Sequence, residues 1–136
     1  MIQPHINHVA ILVSAVILWI LGAGWFSPAL FAKPWMEMLG LKKDDSKKNM
    51  MYLGMISSLI GDLVLSFVLA HIISWSGVIT FGWGALIGCL VWIGFIAAPN
   101  LPQGIYEGRR FKLFAITGGY WLLGLFIVGG LLATWR

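Results

Sequence analysis

Four blocks of apolar residues divide the chain, at about residues 9–26, 50–73, 79–98 and 111–135, with polar residues gathered in the connections between them. Each block is about as long as the roughly 20 apolar residues that cross a bilayer as a helix. Apolar positions run on without the strict alternation of a membrane strand, which argues against a barrel. Main-chain amides have no water to bond in hydrocarbon, so the blocks are expected to be helices. Pro28 stands just beyond the first block, and Pro99 and Pro102 follow the third. Proline has no amide donor, so each marks an expected stop. The pattern predicts an all-α integral membrane protein, one membrane domain over residues 1–136 built as a four-transmembrane-helix bundle.

The connections add detail. The link around Ser74–Gly77 is short, so the second and third helices are expected to be antiparallel neighbours. The first connection is the longest, and within it "KPWMEMLG" reads as a short interfacial helix between helices one and two. Pro34 suits its first turn, Trp35, Met38 and Leu39 share a face, and Gly40 can end it. A plain loop is the alternative. Asp44, Asp45 or Ser46 is placed to cap the helix that follows.

Composition agrees with the pattern: 60% of residues are hydrophobic and 10% charged, against about 25% charged in soluble domains. The first block has no Lys or Arg before Lys33. It runs into "GAGWFSP", with no small-residue cleavage site, and is expected to stay as a span. The net charge is +4, but the bases sit in short connections, with no basic stripe to track a nucleic acid. Membrane lipids are the expected partners. Lys33, Lys42, Lys43, Lys47, Lys48, Arg109, Arg110 and Lys112 fall on one side of the bundle and only Arg136 on the other. That bias places both termini on the non-cytoplasmic side of a bacterial inner membrane. Trp25 and Trp35 then fall near one interface and Trp75, Trp83 and Trp135 near the other. Trp19, Trp92 and Trp121 lie deeper, as packing or ligand-stacking residues.

Asp62 is the one acid inside a span. It stands 12 residues beyond Met50, about 18 Å into the membrane at about 1.5 Å per residue. A carboxyl group there is costly and usually faces the bundle interior or a water path. It reads either as a relay, ion site or substrate contact, or as an interhelical hydrogen bond. Gly54, Ser58, Asp62, Ser66 and Ala70 recur every four residues. Such a stripe admits a close partner helix, but it drifts around the helix, so one partner need not cover it. Thr117 and Tyr120, about halfway into helix four, are candidate hydrogen-bond partners for Asp62. Gly84 and Gly88 form the minimal close-contact motif, and Ala115 and Gly119 a similar pair.

The polar stretch after helix three holds Glu107, Arg109 and Arg110, candidates for lipid or anion contact. His5, His8 and His71 share one interface, without cysteine or carboxylate company, so no metal site is assigned. Cys89 is single and forms no internal disulfide. Serine-hydrolase, phosphate-loop and zinc-protease patterns are missing, so an enzyme has little support and no cofactor is expected.

Two stretches, "LGAGWFSPALFAKPWMEMLGL" at 21–41 and "VWIGFIAAPNLPQGIYEGRRFKLFAITGGYWLLGLFIVGGLLATW" at 91–135, resemble the DUF1761 family of small bacterial membrane proteins of unknown function. The first pattern falls on Gly22, Trp25, Phe26, Ser27, Pro28, Leu30, Phe31, Lys33 and Trp35, with Ala32 at the usual glycine. The second falls on Trp92, Gly94, Phe95, Tyr106, Glu107, Gly108, Arg109, Gly119 and Tyr120. Relatives often carry a histidine after the glycine–tyrosine pair, where this chain has Trp121. The resemblance supports the topology and implies no activity. From the residues, the expected role is a small ion or small-solute channel or transporter acting as a homo-oligomer. The alternative is a structural or interaction protein that holds an unknown protein partner. A lipid-directed enzyme using Glu107 and Arg109 ranks third.

Overall fold

Inside hydrocarbon a chain meets its own amide groups best as a helix, and the structure, a computed structural model, follows that rule. It describes residues 6–27, 30–39 and 48–135. Six α-helices are described: α1 (His8–Trp25), α2 (Ala32–Leu39), α3 (Lys48–Ser76), α4 (Phe81–Trp92), α5 (Ala98–Tyr106) and α6 (Phe111–Thr134). A π turn, Ile93–Ala97, joins α4 to α5, so Phe81–Tyr106 is one helical rod. The described structure thus has four helices long and apolar enough to cross a membrane, with α2 between the first two. Asn7 caps α1 by accepting from the Val9 and Ala10 amides.

The third span outruns its sequence-based end at residue 98 and continues through Pro99 and Pro102 to Tyr106. A proline within a helix gives no N–H and crowds the carbonyl four residues back. The wider π turn ahead of Pro99 takes up that crowding, with the Ala98 amide bonding five residues back to Ile93. The Asn100 side-chain amide donates to the Ile96 carbonyl at 2.7 Å. The rod therefore survives two prolines that the sequence reading treats as its end.

α6 is the centre of the bundle. Half of its span is buried, against 28% for α1 and α3 and 22% for the α4–α5 rod. It packs on α1, α3 and α4, and α1 also packs on α3. α3 and α4, though joined by the short turn at Gly77 (φ +76°), touch only sparsely. The short link makes them sequential without making them packing partners, because α6 offers both a better surface.

That surface is glycine. A methyl group on Gly84 would overlap the Gly129 carbonyl oxygen, and one on Gly88 would overlap that of Leu125. α4 and α6 therefore meet backbone to backbone, as the Gly84–Gly88 motif predicts. Leu18, Leu69, Ile73, Leu125 and Val128 fill the core between α1, α3 and α6.

Aromatic donors tie the helices together. The Trp19 indole donates to the Met55 carbonyl at 3.1 Å, Trp25 to Ile116 at 2.8 Å and Trp92 to Gly118 at 2.8 Å. The Tyr120 hydroxyl donates to the Leu18 carbonyl at 2.8 Å. Each bond gives a donor that lipid would leave unmet a carbonyl on another helix. The Trp25 ring, at the end of α1, lies against Gly119, which leaves room for it. The Trp35 side chain, Pro28, residues 40–47 with their proposed caps and basic stretch, His5 and Arg136 lie outside what is described.

Candidate functional site

Asp62 lies on the inner face of α3, 3% exposed. Among the described residues no cation and no hydrogen-bond donor meets its carboxyl group. The Tyr120 hydroxyl donates its proton to Leu18 instead. The Thr117 hydroxyl donates to Leu113 in its own helix at 2.9 Å. The expected hydrogen bonds from these two residues to Asp62 are thus replaced by bonds to main-chain carbonyls, which are nearer to each hydroxyl.

Ser66, one turn beyond Asp62 on the same face, is wholly buried, and among the described residues its hydroxyl has no partner. Ser14 of α1 is the same: 0% exposed and unpartnered. Ser14 escaped the sequence reading, although it is the one hydroxyl in the first span. Ser58 and Gly54, lower on the stripe, are exposed, as are Ser57 and Gly61. The stripe is covered from Asp62 onward and bare before it, which is how a drifting four-residue repeat behaves.

A cavity of about 530 Å³ lies where α5 and α6 separate, with Leu65 of α3 as its third wall. Thr117, Phe114 and Trp121 form its α6 side, and Ile96, Asn100 and Gln103 its opposite side. Leu65 stands one turn from Asp62. A second cavity, of about 420 Å³, lies against α2 and is lined by Glu37, Glu107, Arg109, Arg110 and Lys112. Arg109, Arg110 and Leu113 line both. Arg109 forms an ion pair with Glu107, and the Gln103 amide donates to Glu107 at 3.0 Å. Arg110 has no carboxylate partner among the described residues. The sequence named the two arginines and Glu107, but not the gap beside them.

Of the histidines, His8 and His71 are described. His71 bonds the Phe67 carbonyl at 2.8 Å and packs tilted against Phe67 and edge-on against Trp75, and His8 is exposed on α1. No cluster of three metal-ligating side chains occurs among the described residues.

A family model described as "Protein of unknown function (DUF1761)" matches residues 9–133. The chain belongs to the DUF1761 family. No curated protein and no solved structure gives a significant match. Five of the residues that carried the DUF1761 resemblance, Trp25, Phe26, Trp92, Gly119 and Tyr120, meet on the first half of α6. Trp25 and Trp92 grip its carbonyls, Gly119 receives the Trp25 ring, and Tyr120 crosses to α1 beneath Phe26. Glu107 pairs with Arg109 in the second cavity, and Arg109 lines both. This DUF1761 chain puts Trp121 in the cavity wall, beside Tyr120 with ring centroids 4.8 Å apart.

Proposed function

We propose that this DUF1761 chain is a small ion or small-solute channel or transporter, working as an oligomer in a bacterial inner membrane. Asp62 is the observation that carries this reading. An acid buried in the bundle interior, with no cation beside it among the described residues, is costly, and such residues mark ion and proton pathways. Ser66, one turn away and without a partner among the described residues, and Tyr120 are buried in that interior. Thr117 faces the cavity that ends one turn from Asp62. Ser58 sits on the uncovered part of α3, where a neighbouring copy would complete the path. The excess of Lys and Arg on the α2 side supports placing both termini outside the cytoplasm.

The test is proton and ion flux into liposomes holding purified protein, wild type beside Asp62→Asn, across a pH gradient. Flux in the wild type that Asp62→Asn abolishes, with the assembly intact, is the expected result. Lack of flux in both proteins for every ion tried would overturn it.

One observation favours a second reading, a structural or protein-interaction role. Gly54, Ser57, Ser58 and Gly61 present small groups on an uncovered face, and a Cβ on either glycine would meet nothing within 4 Å. Small residues on a span face let another helix approach. An oligomer or partner cross-linked through Ser57→Cys, in a protein without flux, would favour this role.

A further inference from the structure

α4 lies on α6, but beyond the π turn α5 leaves it, and the cavity fills the gap. Its volume, about 530 Å³, falls in the range of roughly 300–1,000 Å³ common for small-molecule sites. The deep wall is apolar, made by Leu65, Phe114 and Trp121. Thr117 turns its proton back to Leu113 and offers the cavity no donor. The side wall includes Ile105 and Phe111, which are 80% and 72% exposed. The cavity therefore opens sideways, toward hydrocarbon, as well as along the helices.

At its mouth the character reverses. Arg109 and Arg110 line the apolar cavity and also the polar one against α2, where Lys112 joins them. Glu107 serves Arg109 and Gln103, and among the described residues Arg110 has no carboxylate partner. An apolar slot and a polar seat thus meet at two guanidinium groups. Two arginines repel a cation. A water-soluble anion makes no use of the slot, and a neutral apolar molecule makes none of the arginines. Guanidinium groups match phosphate oxygens, and basic pockets beside spans bind anionic headgroups.

We propose that the α3–α5–α6 cavity holds a membrane phospholipid with an anionic headgroup, its phosphate at Arg110 and Arg109 and one acyl chain in the slot. Asp62 lines neither cavity, although Leu65, one turn from it, walls the apolar one.

Native mass spectrometry of the full chain in neutral detergent tests this. Phosphatidylglycerol and phosphatidylcholine with identical chains are the probes, and inorganic phosphate is the competitor. Phosphatidylglycerol should be retained in preference to phosphatidylcholine. Arg110→Gln should weaken that retention about fivefold, as loss of one interfacial cation does. Gly104→Phe should also reduce it. Gly104 lines the slot, and a Cβ there meets nothing within 4 Å, so the ring fills the slot without disturbing the backbone. Asp62→Asn should leave retention unchanged, so failure of the transport reading and failure of this one are separable. Equal retention of the two lipids, retention unaltered in both variants, or displacement by millimolar phosphate would each overturn the proposal.

Discussion

At the end that carries the termini, Gly84 and Gly88 bring α4 onto α6 until backbone meets backbone. At the other end, the basic one, Gly104 of the same rod faces open space, and a cavity of about 530 Å³ parts the rod from α6. The residue type is the same, and the difference lies between the two regions, in the π turn and the prolines that follow it. Glycine spacing alone says that a helix can be approached closely. Whether it is approached depends on where the rod is aimed.

That contrast predicts opposite outcomes for one substitution in two places. Gly88→Leu drives a side chain into the Leu125 carbonyl and should cost about 3 kcal/mol, the upper end for overpacking. Gly104→Leu should not destabilise, since its Cβ has space and leucine favours a helix by about 0.8 kcal/mol over glycine. Reversible unfolding in mixed micelles reads both. Equal losses at the two sites would break the distinction. A smaller effect is expected from Trp25→Phe and Trp92→Phe, which keep a ring and remove the donor to α6. Each should lose about 0.6–2 kcal/mol, the range for hydrogen bonds between spans. The same unfolding assay checks them, and no loss at either would show that ring packing alone holds α6.

The four spans were legible because a bilayer demands length and apolarity, and both are written directly in the residues. The lone acid at Asp62 was legible for the same reason: charge inside a span stands out. The partners of Tyr120 and Thr117 were not. A hydroxyl takes the nearest acceptor, and which acceptor is nearest depends on how α6 is set against α1, a relation fixed by packing between distant residues such as Gly124 and Leu18. The third span's end was misread because Pro99 and Pro102 are strong local stops, and the π turn that accommodates them carries no sequence mark. The cavity depends on that turn, so it was hidden too, although Arg109 and Arg110 at its mouth were already candidates.

The contrast between a closed terminal end and an open basic end is tested most directly by thiol accessibility. Single cysteines would replace Thr117, Trp121, Val128 and Leu132 in turn, in a Cys89→Ala background. The delipidated protein would then be challenged with a water-soluble thiol reagent. Thr117 and Trp121 line the cavity, whereas Val128 and Leu132 are buried in the core. The expected result is reaction at positions 117 and 121 and protection at 128 and 132. Equal rates at all four positions, or faster reaction at the core pair, would contradict the account.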